Sequence, residues 1–146
     1  MAGIGFSVQS GQVNTSNGTW KTVLQVIAPT NQRLIVNRVK VAFEGITANE
    51  APIQVEIVKQ STAGAGGSSA TAYKKVSTDD ETLQTTALSG MTTEPTTADV
   101  YDQTLIHPQT GHTFMGPFVV PGGTRLGVRV SATTAVDCTV AIQGEE

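Results

Sequence analysis

At 146 residues the chain fits a single domain, large enough to bury roughly two thirds of the surface that its unfolded form exposes. Charged residues make up 14% of it, against roughly 25% in an ordinary soluble domain, and a net charge of −3 lacks the basic footprint of a nucleic-acid binder. The single cysteine, Cys138, excludes an intrachain disulfide and the thiolate clusters of structural zinc sites.

The opening "MAGIGFSVQS" has neither the basic start nor the long apolar run of a secretory signal, and no later run is long enough to span a membrane. Synthesis in a cytoplasm and no membrane partner are expected. Within the first eighteen residues, glycines are interspersed with Ile4, Phe6, Val8 and Val13. Two readings stay open: an arm that lies on a neighbouring surface, or an ordinary edge strand of the same subunit. The expected division is an N-terminal arm over 1–18 and a single β-sandwich domain over 19–146.

From there apolar and polar residues alternate with a period of two, the signature of half-buried strands. Strands are predicted near Thr19 to Ala28, Arg33 to Glu44, Ile53 to Gln60 and Thr71 to Ser77. Four more fall near Val100 to His107, His112 to Val120, Thr124 to Ala132 and Asp137 to Gln143. In "TRLGVRVSA", Leu126, Val128 and Val130 share one face, while Arg125, Gly127, Arg129 and Ser131 share the other. The intervening "APTNQ", "GITANEAP", "STAGAGGSSA", "HPQTG", "VPGG" and "SATTAV" are rich in turn residues, and the spacing suggests a sandwich or barrel. One short helix is predicted at "STDDETLQTTAL", where Thr78 and Glu81 have capping-box spacing.

Side chains that carry chemistry are sparse. His107 and His112 flank "PQTG", which predicts a four-residue hairpin loop with the imidazoles across its neck. A metal there would need Asp99 or Asp102 as a third ligand, and no zinc or oxygenase spacing accompanies them, so the structural reading is preferred and neither metal nor cofactor is expected. Asp79, Asp80 and Glu81 suit a helix start better than a glycosidase pair. No "GxSxG" elbow is present. The "GAGG" at Gly64 to Gly67 lacks the ending of a phosphate loop and reads as a flexible tip. Cys138 shares a face with Val136, Val140 and Ile142 and is expected to behave as a small buried hydrophobe. Trp20 is read as a core or interface anchor, and Arg38 and Lys40 as cations on the outward face of a long strand, available to an acidic partner.

The series "LQVIAPTNQRLIVNRVKVAFEG", "PIQVEIVKQSTAG", "ETLQTT", "HPQTG", "FVVPGGTRLGVRVSA" and "VDCTVAIQGEE" resembles the decoration, or cement, proteins of tailed bacteriophages. The resemblance covers about Ile4 to Glu146. It implies an eight-stranded jelly-roll-like antiparallel β-sandwich with at most one short helix. It also implies a non-catalytic virion protein that sits as a homotrimer on the outer capsid surface, partnered by the major capsid protein and by itself. Ile4, Phe6, Val8, Trp20, Arg38 and Lys40 are then the expected subunit or capsid contacts. A glycan-binding or host-attachment module of a phage particle is the rival reading, since fold alone does not separate the two.

Overall fold

A computed structural model describes residues 3–45, 51–78 and 80–146. The described residues form twelve strands and no helix. In chain order these are β1 (Gly5–Gln9), β2 (Val13–Asn14), β3 (Trp20–Ile27), β4 (Leu34–Phe43), β5 (Ile53–Gln60) and β6 (Ser68–Ala70). They continue with β7 (Ala72–Lys74), β8 (Thr86–Ser89), β9 (Thr97–Ile106), β10 (Gly111–Val120), β11 (Arg125–Ser131) and β12 (Asp137–Glu145).

The strands form two antiparallel sheets. One runs β10-β4-β12-β1-β7, with β2 also on β12; the other runs β6-β8-β3-β11-β5-β9. Counting only strands of five or more residues leaves eight: β1, β3, β4, β5, β9, β10, β11 and β12. Numbered one to eight along the chain, they lie 1-8-3-6 in the first sheet and 2-7-4-5 in the second. That interleaving is the jelly roll, in which successive long strands cross between layers except at the β5–β9 pair. The remaining four strands, β2, β6, β7 and β8, are short additions of two to four residues.

Alternation places the core. In β11, Leu126, Val128 and Val130 are fully buried and face Val36, Val39, Val41, Phe114 and Ile142 of the other sheet in one continuous apolar cluster. Cys138 lies in the same cluster beside Val136, Val140 and Ile142, as expected. Burial, with the Asp137 charge adding to it, pushes its thiol up to about 12. Because the folded value lies above the unfolded one, the stability linked to this group is complete below about pH 9 and is lost between pH 9 and 12. Alkylation of native protein at pH 8 should therefore leave Cys138 unmodified and proceed only after denaturation, as intact-mass spectrometry would show.

Five expectations are corrected, the last of them at the "HPQTG" turn. Residues 3–18 are not an arm: β1 pairs with β12 on one side and β7 on the other, and Phe6 and Val8 are fully buried in the sandwich. Thr15 and Gly18 continue along the same flank, donating to the Val136 and Ala132 carbonyls. Ile4, Phe6 and Val8 are thus core residues rather than contacts for a neighbour, because their period-two spacing fills the slot that the first jelly-roll strand must occupy. The predicted strand at 71–77 shrinks to the three residues of β7. Among the described residues of the predicted helix there are only turns, bends and irregular backbone leading into β8; Asp79 lies outside the described residues. The "GAGG" tip is packed rather than free: Ala65 exchanges backbone hydrogen bonds with Thr93, and a side chain on Gly66 would collide with Thr92.

The "VPGG" turn forms where the sequence places it, but the hairpin expected at "HPQTG" does not, and Gly111 there is not left-handed. The "VPGG" turn has Gly123 at φ 77° and Thr124 donating to the Pro121 carbonyl. Yet it joins β10 and β11, which belong to different sheets. The "HPQT" corner similarly joins β9 to β10 across the layers, so it is no hairpin.

Candidate functional site

The two outer faces of the sandwich differ. On the β3-β11-β5 sheet the outward positions are sealed by the chain itself. Residues 91–96 cross that face from Thr22, whose carbonyl accepts from Met91 N at 3.1 Å, to Ser61, whose N donates to the Thr96 carbonyl at 2.9 Å. Beneath the crossing, Thr22, Gln25, Val58 and Gln60 are fully buried.

These buried polar groups satisfy one another. Gln25 Nε2 donates to Gln60 Oε1 at 2.6 Å, Gln60 Nε2 donates to Thr22 Oγ1 at 2.8 Å, and Arg125 donates to Gln25 Oε1 at 3.1 Å. Gln60 on β5 reaches Thr22 on β3 across β11 because Gly127 leaves a notch; a Cβ there would stand 2.3 Å from Gln60 Oε1. Next to it, Arg129 binds both carboxylate oxygens of Glu56 at 3.2 and 3.3 Å and lies 4.3 Å over the Trp20 ring. Trp20 is therefore a half-buried partner of Arg129, and this face is a scaffold.

The outer face of the β10-β4-β12-β1 sheet is bare. Register across the strands sets its side chains in rows: Gly111, Ala42 and Thr139; then Thr113, Lys40, Ala141 and Gln9; then Met115, Arg38, Gln143, Ser7 and Tyr73. Arg38 is held by a 2.7 Å hydrogen bond to Gln143 Oε1. In the same row Met115, beside it, and Tyr73, at the far end, are 68% and 59% exposed. The small side chains of the first two rows leave a hollow of about 470 Å³, with Lys40 standing in it. The sequence reading placed Arg38 and Lys40 on an outward face correctly; it missed the hollow, which needs three strands in register.

The flank of the sandwich where β9 and β10 form the two edges is open. Of the ten residues of β9 only Ile106 is buried, and Val100 and Leu105 are 48% and 66% exposed. Tyr101 bridges the flank, donating from its hydroxyl to the Val119 carbonyl at 2.8 Å with its ring 5.9 Å from Phe118. Partial burial and the Asp99 charge hold that phenol above its ordinary value.

The histidines do not converge. His107 Nδ1 accepts from Gln109 N at 3.1 Å and its carbonyl from Thr110, which closes the corner. His112 meets Phe114 edge-on at 4.8 Å. Asp99 pairs with Lys59 at 3.8 Å, and Asp102 accepts from Gln103 N. Among the described residues no group of three or more His, Cys, Asp or Glu side chains is placed to hold a metal ion.

No protein-family model matches the chain, and no curated protein matches it in sequence. Among solved structures, the Yersinia pseudotuberculosis-derived mitogen overlays with a TM-score of 0.43 and 4% identity, over 93% of this chain and 83% of that one. A likeness at that level says nothing of function.

Proposed function

We propose that the protein is a non-catalytic virion component that binds the outer surface of a tailed-phage capsid as a trimer and stabilises the shell. The observation that supports this reading is β9: a ten-residue strand paired on one side only, with one buried residue and apolar side chains in solvent. Such a strand offers an open edge and exposed apolar side chains against which another molecule can pack. In this reading β9 of each copy lies against its neighbour around a three-fold axis, and three identical shell contacts convert a modest single-site affinity into lasting attachment. Trp20, Arg38 and Lys40 keep their candidate status as contacts only on the terms set above, with Trp20 committed to Arg129.

Undecorated phage heads mixed with the protein and imaged should gain density at local three-fold positions. Leu105→Asp should weaken self-association by at least roughly 30-fold, the size of an interface anchor, in sedimentation analysis. At concentrations too low for either protein to associate, its melting temperature should match that of the parent, because the side chain is exposed in the free subunit. Heads that stay bare, or a parent protein that sediments as a monomer at capsid-saturating concentration, would count against the proposal. The host-attachment reading draws its support from the hollow around Lys40.

A further inference from the structure

We infer that the hollow on the bare sheet face is a binding site for an acidic saccharide, a pyranose that carries a carboxylate. This goes beyond capsid attachment and uses a different surface from β9. Four observations meet there.

The first is shape. A hollow of about 470 Å³ falls in the range of small-ligand sites, roughly 300–1,000 Å³, and has room for one or two sugar rings. The depth comes from Gly111 and Ala42, side by side in one row, and Ala141 diagonal to them in the next, where longer side chains would fill the space.

The second is charge. Among the described residues that line the hollow, Lys40 is the one formal charge, His112 is the other titratable group, and no carboxylate is present, although the protein as a whole is acidic. Directly opposite Lys40 in register are Thr113 and Ala141, too short to reach and neutralise it, and the Lys40 ammonium makes no ion pair or hydrogen bond among the described residues. Arg38, one row away, is by contrast tied to Gln143. An anion is the complement, and the cation is free for it.

The third is the remaining polar groups. The Thr113 and Thr139 hydroxyls sit at the two sides of the Lys40–Ala42 strand and have no hydrogen-bond partner among the described residues, where Gln9 has only a long 3.4 Å contact to Ser7. Two hydroxyls and an amide around an ammonium are the donors and acceptors that sugar hydroxyls require. The fourth is the floor. Ala42 and Ala141 offer a flat apolar patch to the C–H face of a ring, in place of an aromatic platform.

The test uses isotope-labelled full-length protein titrated with glucuronate or N-acetylneuraminate and, as the neutral control, glucose. The expected result is saturable amide shifts at Lys40, Ala42, Gly111, Thr139 and Ala141, with affinity on the order of millimolar for a single ring. Glucose should bind at least tenfold more weakly. Lys40→Met, an exposed change that leaves the spectrum of the fold intact, should lose the acidic sugar by at least tenfold, while Arg38→Met should not.

Absence of saturable shifts with either acidic sugar, an equal response to glucose, or full binding by Lys40→Met would each overturn the assignment. So would a glutamate-rich peptide that binds the hollow more tightly than the sugars, which would reassign it to a protein partner. None of these outcomes depends on phage heads or on self-association, so the two proposals stand or fall separately.

Discussion

Phe6→Ala is expected to cost about 3–5 kcal/mol of folding stability, the range for emptying a buried phenylalanine site. In a chain of this length that lowers the melting temperature by roughly 10 °C or more. The size follows from where the ring sits. Phe6 is fully buried, faces the core from a strand flanked on both sides, and is opposite Gly144 of β12 and Lys74 of β7. The surroundings are β-sheet backbone held in register, which relaxes little around a void. Deleting residues 1–12 should be worse, since it uncovers one edge of β12 and removes Val8 as well. Thermal denaturation followed by circular dichroism would measure both. A deletion variant that melts with the parent would restore the idea of a detachable arm.

The second large effect concerns the sealed face. Glu56→Ala is expected to destabilise the fold by about 3–5 kcal/mol, because it leaves a guanidinium in a nearly dry site without its acid. The Glu56 and Arg129 side chains are only 6% and 16% exposed, so water does little to replace the lost partner. The pair itself adds little net stability, as both charges were desolvated to make it. The double variant Glu56→Leu/Arg129→Met should therefore recover most of the loss, within about 1–2 kcal/mol of the parent. Urea denaturation of the parent, both single variants and the double variant closes the cycle. If Glu56→Ala unfolds at the same urea concentration as the parent, the site is wetter than its geometry implies.

Most strand positions were legible because each is a local pattern. The inward faces of β11 and β12, and of β4 from Val39 onward, follow from alternation alone, and the predicted bounds of β3, β5 and β10 differ from the observed ones by a residue or less. The glycines at positions 3 and 5 obscured β1. There they serve close approach: a Cβ on Gly3 would meet the Glu146 carbonyl oxygen at 2.2 Å, and one on Gly5 would meet Lys75. A strand whose glycines are dictated by its neighbours reads as a loose tail when those neighbours are unknown.

The layer crossings were hidden for a different reason. Proline and glycine at 121–123 describe how sharply the chain bends, and a hairpin and a corner between sheets ask for the same bend. The buried glutamines were the least visible of all. Gln25 and Gln60 occupy outward positions, where alternation predicts solvent, and what covers them is a segment more than thirty residues away. The hollow has the same non-local origin, since Gly111, Ala42, Thr139 and Ala141 come from three strands and none is unusual by itself.

The sealing of one outer face by residues 91–96 gives the subunit a top and an underside. A body finished on one side and unfinished on the other offers its surroundings two chemically different faces, a packed polar scaffold and an open sheet that carries Arg38 and Lys40.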